Sequence, residues 1–462
     1  MRSVPIVLIA VLLLSPLAAG QAAPAAKDKA EALADEMRQA ATFLGWFHVA
    51  DRLWEGISDK VSVVDRETAR RILTSEFDGR YKLVKPAHIW APLYLVGLIP
   101  ADCDYRQTYL DLVGEQDAAV YDWGSRKLNV VKDEEAAEFL PLARNLIIMH
   151  ELANALDHKH VFRGQTRDGL DATAGAQHDA RLALVAVIEG SGRLLAKRYQ
   201  AELKRTGKVS RSATLQYAEY EESRGKRFMQ LPPYFQASPG THICGMRFVM
   251  RGKPASALAD GSETGQEALL ALRKGLPKTT EQILHPEKFF DKEAADPPIV
   301  VDEYSVERNL DISGGWMVAI PLKDTFGELL CSLLARPKDA KANPIDLLSP
   351  SYYINEAGSG WGGDRFFLLT KGTVRIPQAG APGPPSTENV KGVWVTVWDT
   401  PKDREEFVAA YSKNRPQAGV VLVGTRTAVF LYGMGPEERD RTAKRIREKP
   451  PTLRQALKNV AP

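Results

Sequence analysis

Apolar and polar residues recur along this chain with two different periods, and the change of period divides it. Between residues 27 and 298 the apolar positions fall mostly at helical spacing. Residues 27–57 place Phe43, Trp46, Phe47, Val49 and Leu53 on or near one side, which predicts a packing helix. A helix is also expected over 67–77. PLYLVGLIPADCDYRQTYLDLVGEQ reads as a short helix, a proline-punctuated turn and a second helix. The segment DAAVYDWGSRKLNVV breaks this period. β-rich runs at 118–121 and 127–131 flank an Asp-Trp-Gly-Ser turn, a hairpin signal. Directly after it, DEEAAEFLPLARNLIIMHELANALDH begins acidic and continues at helical spacing for roughly six turns, and Asp133 or the acids after it suit a helix N-terminus. Residues 179–197, DARLALVAVIEGSGRLLAK, predict another strongly apolar helix.

From Ile299 onward the texture changes. RFFLLT, GVWVTVW, GVVLVG and TAVFLYGM are strand-like runs, with the helical segment DREEFVAAYSK between the second and third. PQAGAPGPPSTENVK, residues 377–391, is a surface loop by its proline and glycine content. No internal repeat occurs. The expectation is an α+β chain: a predominantly helical domain over 27–298 and a small α+β C-terminal unit over 299–462.

The N-terminus adds a destination. One arginine, an apolar run over 4–17 and then small residues are the layout of a secretory signal peptide, expected over 1–22 with cleavage near Gly20 or Ala23. The apolar run is too short for a comfortable membrane span and no cysteine follows it. The expectation is an exported protein, periplasmic or extracellular, without a stable membrane anchor once the leader is removed. With 44% apolar and 26% charged residues the rest is ordinary for a globular protein, and the formal charge of +3 is spread rather than clustered. No basic stripe or nucleic-acid motif appears, so nucleic acid is set aside as a partner. Cys103, Cys244 and Cys331 are too far apart to imply a disulfide framework or a thiolate metal site, and are expected as small buried apolar residues.

The candidate chemistry lies in IIMHELANALDHKH, residues 147–160. His150-Glu151 opens the H-E-x-x-H pattern, in which two histidines one turn apart on a helix bind zinc and the Glu serves as general base. The position of the second histidine is Asn154. His158 stands two turns beyond His150, about 12 Å along a helix axis. His160 is further still, and Asp157 fails for the same reason. His178 and His242 lie elsewhere, and spacing argues for neither. Glu189 is a carboxylate in an otherwise apolar run, LALVAVIEG, where a charge needs a partner. A metal, an arginine or the Asn154 amide would each supply one.

LVGLIPAD (95–102), AVYDWGSRKLNVV, HELANALDHKHVF and AVIEGSG follow one another in an order that resembles exported bacterial proteins of the gluzincin type, the thermolysin-like zinc metallopeptidase clan. Later stretches, PPYFQASPGTHICGMRFV, KTTEQILHPEKFF and GWGGDRFFLL, are similar to further landmarks of that group. The resemblance implies a zincin-like domain with zinc ligands at His150, Asn154 and Glu189 and Glu151 as general base. It also implies His242 as a donor to the oxyanion, and a hairpin edge that pairs with an extended peptide. The departure falls on the metal. An amide oxygen is a weak zinc donor, and a hydrolytic zinc site uses three protein ligands plus an open position.

Three readings stand. The favoured one is a degenerate HExxN site with zinc weakly bound or absent, catalysis impaired, and the cleft binding a peptide or protein. The alternative is an active zinc metallopeptidase in which His150, Glu189 and an unusual third ligand hold the metal and Glu151 acts as base. The third is a cell-envelope structural protein with a coincidental HE pair. In GWGGDRF (360–366), Arg365 is a candidate to grip a substrate carboxylate, but an Asp-Arg pair beside a glycine turn more commonly only holds a loop.

Overall fold

The computed structural model describes residues 61–80, 85–114, 118–132, 140–165, 177–254, 256–259, 265–310, 312–337, 343–377 and 385–455. The expected leader at 1–22, the helix at 27–57 and the acidic run at 133–139 lie outside the described residues.

The chain is mixed α+β. Strand β1 (Val61–Val64) is followed by helices α1 (Arg66–Arg80), α2 (Pro86–Val96) and α3 (Tyr105–Gly114). Helix α2 ends where LVG predicts: Gly97 takes φ 95°, a left-handed value that suits glycine, and its N–H donates to the carbonyls of Leu93 and Tyr94. The hairpin forms from β2 (Ala119–Asp122) and β3 (Lys127–Val131), its turn held by the Asp122 carboxylate accepting from the Gly124 N–H. β3 also pairs in parallel with β1, giving the order β1-β3-β2 and leaving β2 at an edge.

Four longer helices follow: α4 (Pro141–His160), α5 (His178–Arg205), α6 (Arg211–Gln230) and α7 (Pro233–Val249). Helix α4 begins at Pro141, not at Asp133. Proline is pre-set for the first helical position, where its missing N–H would have no partner anyway. Leu142, Leu146, Met149, Ala153 and Leu156 of α4 recur every three or four residues, and all are buried in the core, where α4 packs chiefly against α5 and the hairpin strand β2. Helices α5 and α7 meet through glycines. A Cβ on Gly190 would stand 2.1 Å from the Gly245 carbonyl carbon, and one on Gly245 would stand 1.9 Å from the Ala186 oxygen. This backbone-to-backbone contact brings the two helices' functional faces together.

Beyond β4 (Ile299–Val301), a five-stranded antiparallel sheet forms from β5 (Trp316–Asp324), β6 (Trp361–Lys371), β7 (Val390–Trp398), β8 (Gly419–Val423) and β9 (Thr427–Tyr432), in the order β5-β6-β7-β9-β8. Helices α8 (Gly327–Ala335), α9 (Pro401–Asn414) and α10 (Pro436–Glu448) pack with it, and β10 (Leu453–Gln455) pairs with β4. Successive residues in these strands face opposite sides. Phe366, Leu368, Trp394, Ala428 and Phe430 belong to the large apolar core shared with the helices. Phe367, Leu369, Val393, Val395, Val429 and Leu431 form a second cluster with Ala443 and Ile446 of α10. Residues on both sides of position 298 therefore share one core. Tyr411 of α9 donates its hydroxyl to the Val96 carbonyl at the end of α2, at 2.8 Å. Among the described residues no helix is long and apolar enough to cross a membrane. Cys103, Cys244 and Cys331 are buried and unpaired.

Candidate metal centre

Three helices each deliver one donor to a single point. His150 Nε2 of α4 lies 2.9 Å from Glu189 Oε2 of α5, and His242 Nε2 of α7 lies 3.1 Å from the same oxygen. The ligand atoms of these three side chains all fall within 4.8 Å of one another. The glycine contact between α5 and α7 allows His242 to approach Glu189 this closely. Gly192 does the same for His150, since a Cβ there would stand 2.6 Å from the imidazole ring.

The hydrogen bonds define what these atoms offer. His242 Nδ1 lies 2.9 Å from the Ser238 carbonyl oxygen, which accepts only, so Nδ1 carries the proton. His242 Nε2 then faces a carboxylate oxygen, an arrangement that requires a proton or a cation between them. Burial by itself would raise the Glu189 pKa, but His242 and His150 outweigh it and hold the carboxyl well below its usual range. For His150, burial favours the neutral ring, and Glu189 and Glu151 overcome that and raise its pKa. Burial raises the pKa of Glu151.

Asn154 is buried one turn along α4 from His150, and its amide nitrogen donates to Glu151 Oε2 at 3.2 Å. The Tyr121 backbone N–H, on the edge strand β2, donates to that same oxygen at 2.9 Å. Asn154 Oδ1 is buried with no hydrogen-bond partner among the described residues. Two of the other histidines considered from sequence, His158 and His178, are occupied elsewhere. His158 bonds the Tyr121 hydroxyl at 2.8 Å and stacks on Trp123, and His178 bonds Asp324 at 2.5 Å.

Two imidazoles and a carboxylate are a donor set zinc accepts in hydrolytic sites, and convergence from three rigid helices holds them in place. The set opens on a cavity of about 280 Å³ lined by Glu151, Asn154, Tyr121 and, further along, Arg193, Lys197, Glu221 and Arg224. The sequence brought His150, Glu151, Asn154, Glu189 and His242 into consideration, and all five line this one cavity. It missed the charged group beyond them. A signal was available, because Arg193 and Lys197 follow Glu189 at successive steps of four, on one face of the same helix.

The family described as "Domain of unknown function (DUF8575)" matches residues 318–443, the sheet and the helices packed with it, away from the donor cluster. No curated protein and no solved structure matches the chain.

Proposed function

We propose that this protein is a zinc-dependent hydrolase of the gluzincin metallopeptidase type, whose metal-holding residues are His150, Glu189 and His242. The observation that carries the reading is the convergence of those three donor atoms within 4.8 Å at the wall of a cavity large enough for a peptide segment. His242 would thus supply the third ligand that Asn154 cannot. Two features support the reading: the partnerless Asn154 oxygen, and the close approach of His242 Nε2 to Glu189 Oε2, which needs a proton or a cation between them. A zinc ion held by such a set supplies Lewis-acid polarisation of a carbonyl and activation of water.

The chain's own residues supply the rest. Glu151 is the general base, and its buried, raised pKa suits a group that takes up a proton and passes it on. Asn154 and the Tyr121 N–H hold Glu151 Oε2 and leave Oε1 to work with. Asn154 is thus a positioning residue. An extended peptide would lie along β2, whose edge is adjacent to Glu151.

A second reading, a peptide binder with impaired catalysis, is favoured by one observation. Two donors on Glu151 Oε2 withdraw charge from the base, and His242, once a ligand, no longer serves the oxyanion. Zinc content and titration calorimetry of the purified mature protein separate the readings when set beside peptide cleavage. The expected result is a single tightly held zinc per chain, lost in His242→Ala and kept in Asn154→Ala. A wild type without zinc, or a His242→Ala protein that still holds it, would overturn the assignment. Zinc without cleavage favours the binder.

A further inference from the structure

The far end of the cavity carries charge that the proposed hydrolysis does not use. Arg193 and Lys197 project from α5 one and two turns beyond Glu189, and Arg224 faces them from α6. Among the described residues one carboxylate, Glu221, answers the group: it lies 3.5 Å from Arg193 and 3.3 Å from Arg224, and its charge also acts on Lys197. Arg193 Nε is buried with no hydrogen-bond partner among the described residues. Tyr217 and Tyr220 wall the group, with Lys197 Nζ 5.4 Å from the first ring and the Arg224 guanidinium 5.7 Å from the second. Lys197 Nζ donates to Gln200 Oε1 at 3.5 Å, and burial, then repulsion by Arg193, lowers its pKa to about 8 despite Glu221.

We infer that Arg193, Lys197 and Arg224 form an anion subsite that takes a carboxylate of a bound peptide. This rests on the peptidase reading only for the identity of the ligand. Guanidinium and ammonium groups lining a partly closed cavity favour a carboxylate over a neutral group, because three cations share the one carboxylate of Glu221 and the excess positive charge is unanswered without a second. The geometry sets the reach. Steps of four along a helix advance about 6 Å each, while an extended peptide advances about 3.3–3.6 Å per residue. The carboxylate therefore belongs about two to four residues from the group held at His150 and Glu189. A C-terminal α-carboxylate and an acidic side chain both satisfy that chemistry.

The test uses the chelator-treated full chain, in which metal-dependent cleavage is off, and three N-terminally fluorescein-labelled pentapeptides. One is Gly-Ala-Leu-Ala-Ala with a free C-terminus, one is its amide, and one is the amide with Glu at the fourth position. Fluorescence anisotropy should show a carboxylated peptide binding about tenfold or more tighter than the neutral amide. That preference should fall to within about twofold in Arg193→Gln/Lys197→Gln and shrink in Arg224→Gln, each checked for an unchanged melting profile. Tight binding of the free acid alone identifies the α-carboxylate, of the glutamyl amide alone an acidic side chain, and of both a subsite open to either. Equal affinity for all three peptides, including no binding by any, overturns the inference, as does a preference that survives in the double variant. Zinc content of the same protein measured before chelation keeps the two proposals apart. Discrimination without zinc overturns the metallopeptidase reading alone, and zinc without discrimination overturns the anion subsite alone.

Discussion

Glu189 Oε2 and His242 Nε2 lie 3.1 Å apart although they come from different helices, and Gly190 and Gly245 are what allow it. A methyl group at either glycine would run into backbone, which cannot turn aside as a side chain can. Gly245→Ala should therefore force α5 and α7 apart, with a cost of about 1–3 kcal/mol or more. Zinc affinity should fall with it. Chemical unfolding and calorimetry on the same variant measure both, and a Gly245→Ala protein of wild-type stability contradicts the packing described.

Gly192→Ala is a milder insult of another kind. Its new Cβ would meet the His150 ring at 2.6 Å, and a ring can rotate. Stability should change little while zinc affinity drops by about 10- to 100-fold, the scale seen when a ligand's orientation is disturbed. Equal losses in both would mean that the helix, not the imidazole, has moved.

Asn154→Ala removes a donor from Glu151 but also removes a buried oxygen that has no partner. The two effects oppose each other, so the net loss should stay near 1 kcal/mol. Urea unfolding decides it. A loss above about 3 kcal/mol would show that Asn154 Oδ1 is satisfied in solution by something essential.

Asp157, two turns beyond His150 on α4, is fully buried, with the Ser191 side chain as its hydrogen-bonding neighbour. Burial pushes its carboxyl up to about 7, from 3.8. A raised acid is protonated in the folded state where the unfolded chain has already lost its proton. Its contribution to stability is complete below pH 3.8 and is lost as pH rises towards 7. The slope in that window is at most about 1.4 kcal/mol per pH unit. Asp157→Asn should remove it, so the variant gains on wild type between pH 5 and 7 and the gap then stays constant. Parallel pH dependences for the two proteins would refute the assignment.

Asp364 tests the other half of the chain. Its two oxygens accept from the Phe326 and Gly327 N–H groups and from the Trp361 and Trp394 indoles, which ties β6 to the start of α8 and to β7. Asp364→Asn turns one acceptor into a donor facing donors. The expected loss is about 2–4 kcal/mol in thermal or denaturant unfolding. A neutral substitution would mean that the network rearranges freely.

Much of this architecture is legible in the sequence, and the gaps have physical causes. The hairpin, α4, the apolar stretch of α5, and strands β6 to β9 follow from period and turn chemistry. β1 was not expected, since four residues carry too little pattern and its partner β3 lies more than sixty positions away. Arg365 pairs with Glu303 and bonds Thr325 Oγ1, the loop-holding role that its neighbourhood suggested. At the site, residues sharing one helix were easy to connect and those on different helices were not. Helical spacing links His150 to Asn154, but His242 reaches Glu189 through the geometry of two crossing helices, which no local period encodes.

The hydroxyl of Tyr411 donating to the carbonyl of Val96 joins positions 315 residues apart. During vectorial synthesis the end of α2 leaves the ribosome long before its partner exists. Stretches such as Trp90 and Leu93, buried in the finished protein, must then wait in a partly folded chain. Long-range closure of this kind slows folding and extends the time in which apolar surface is open to aggregation or to a chaperone. For this chain, the last third to be made decides when the first can finish.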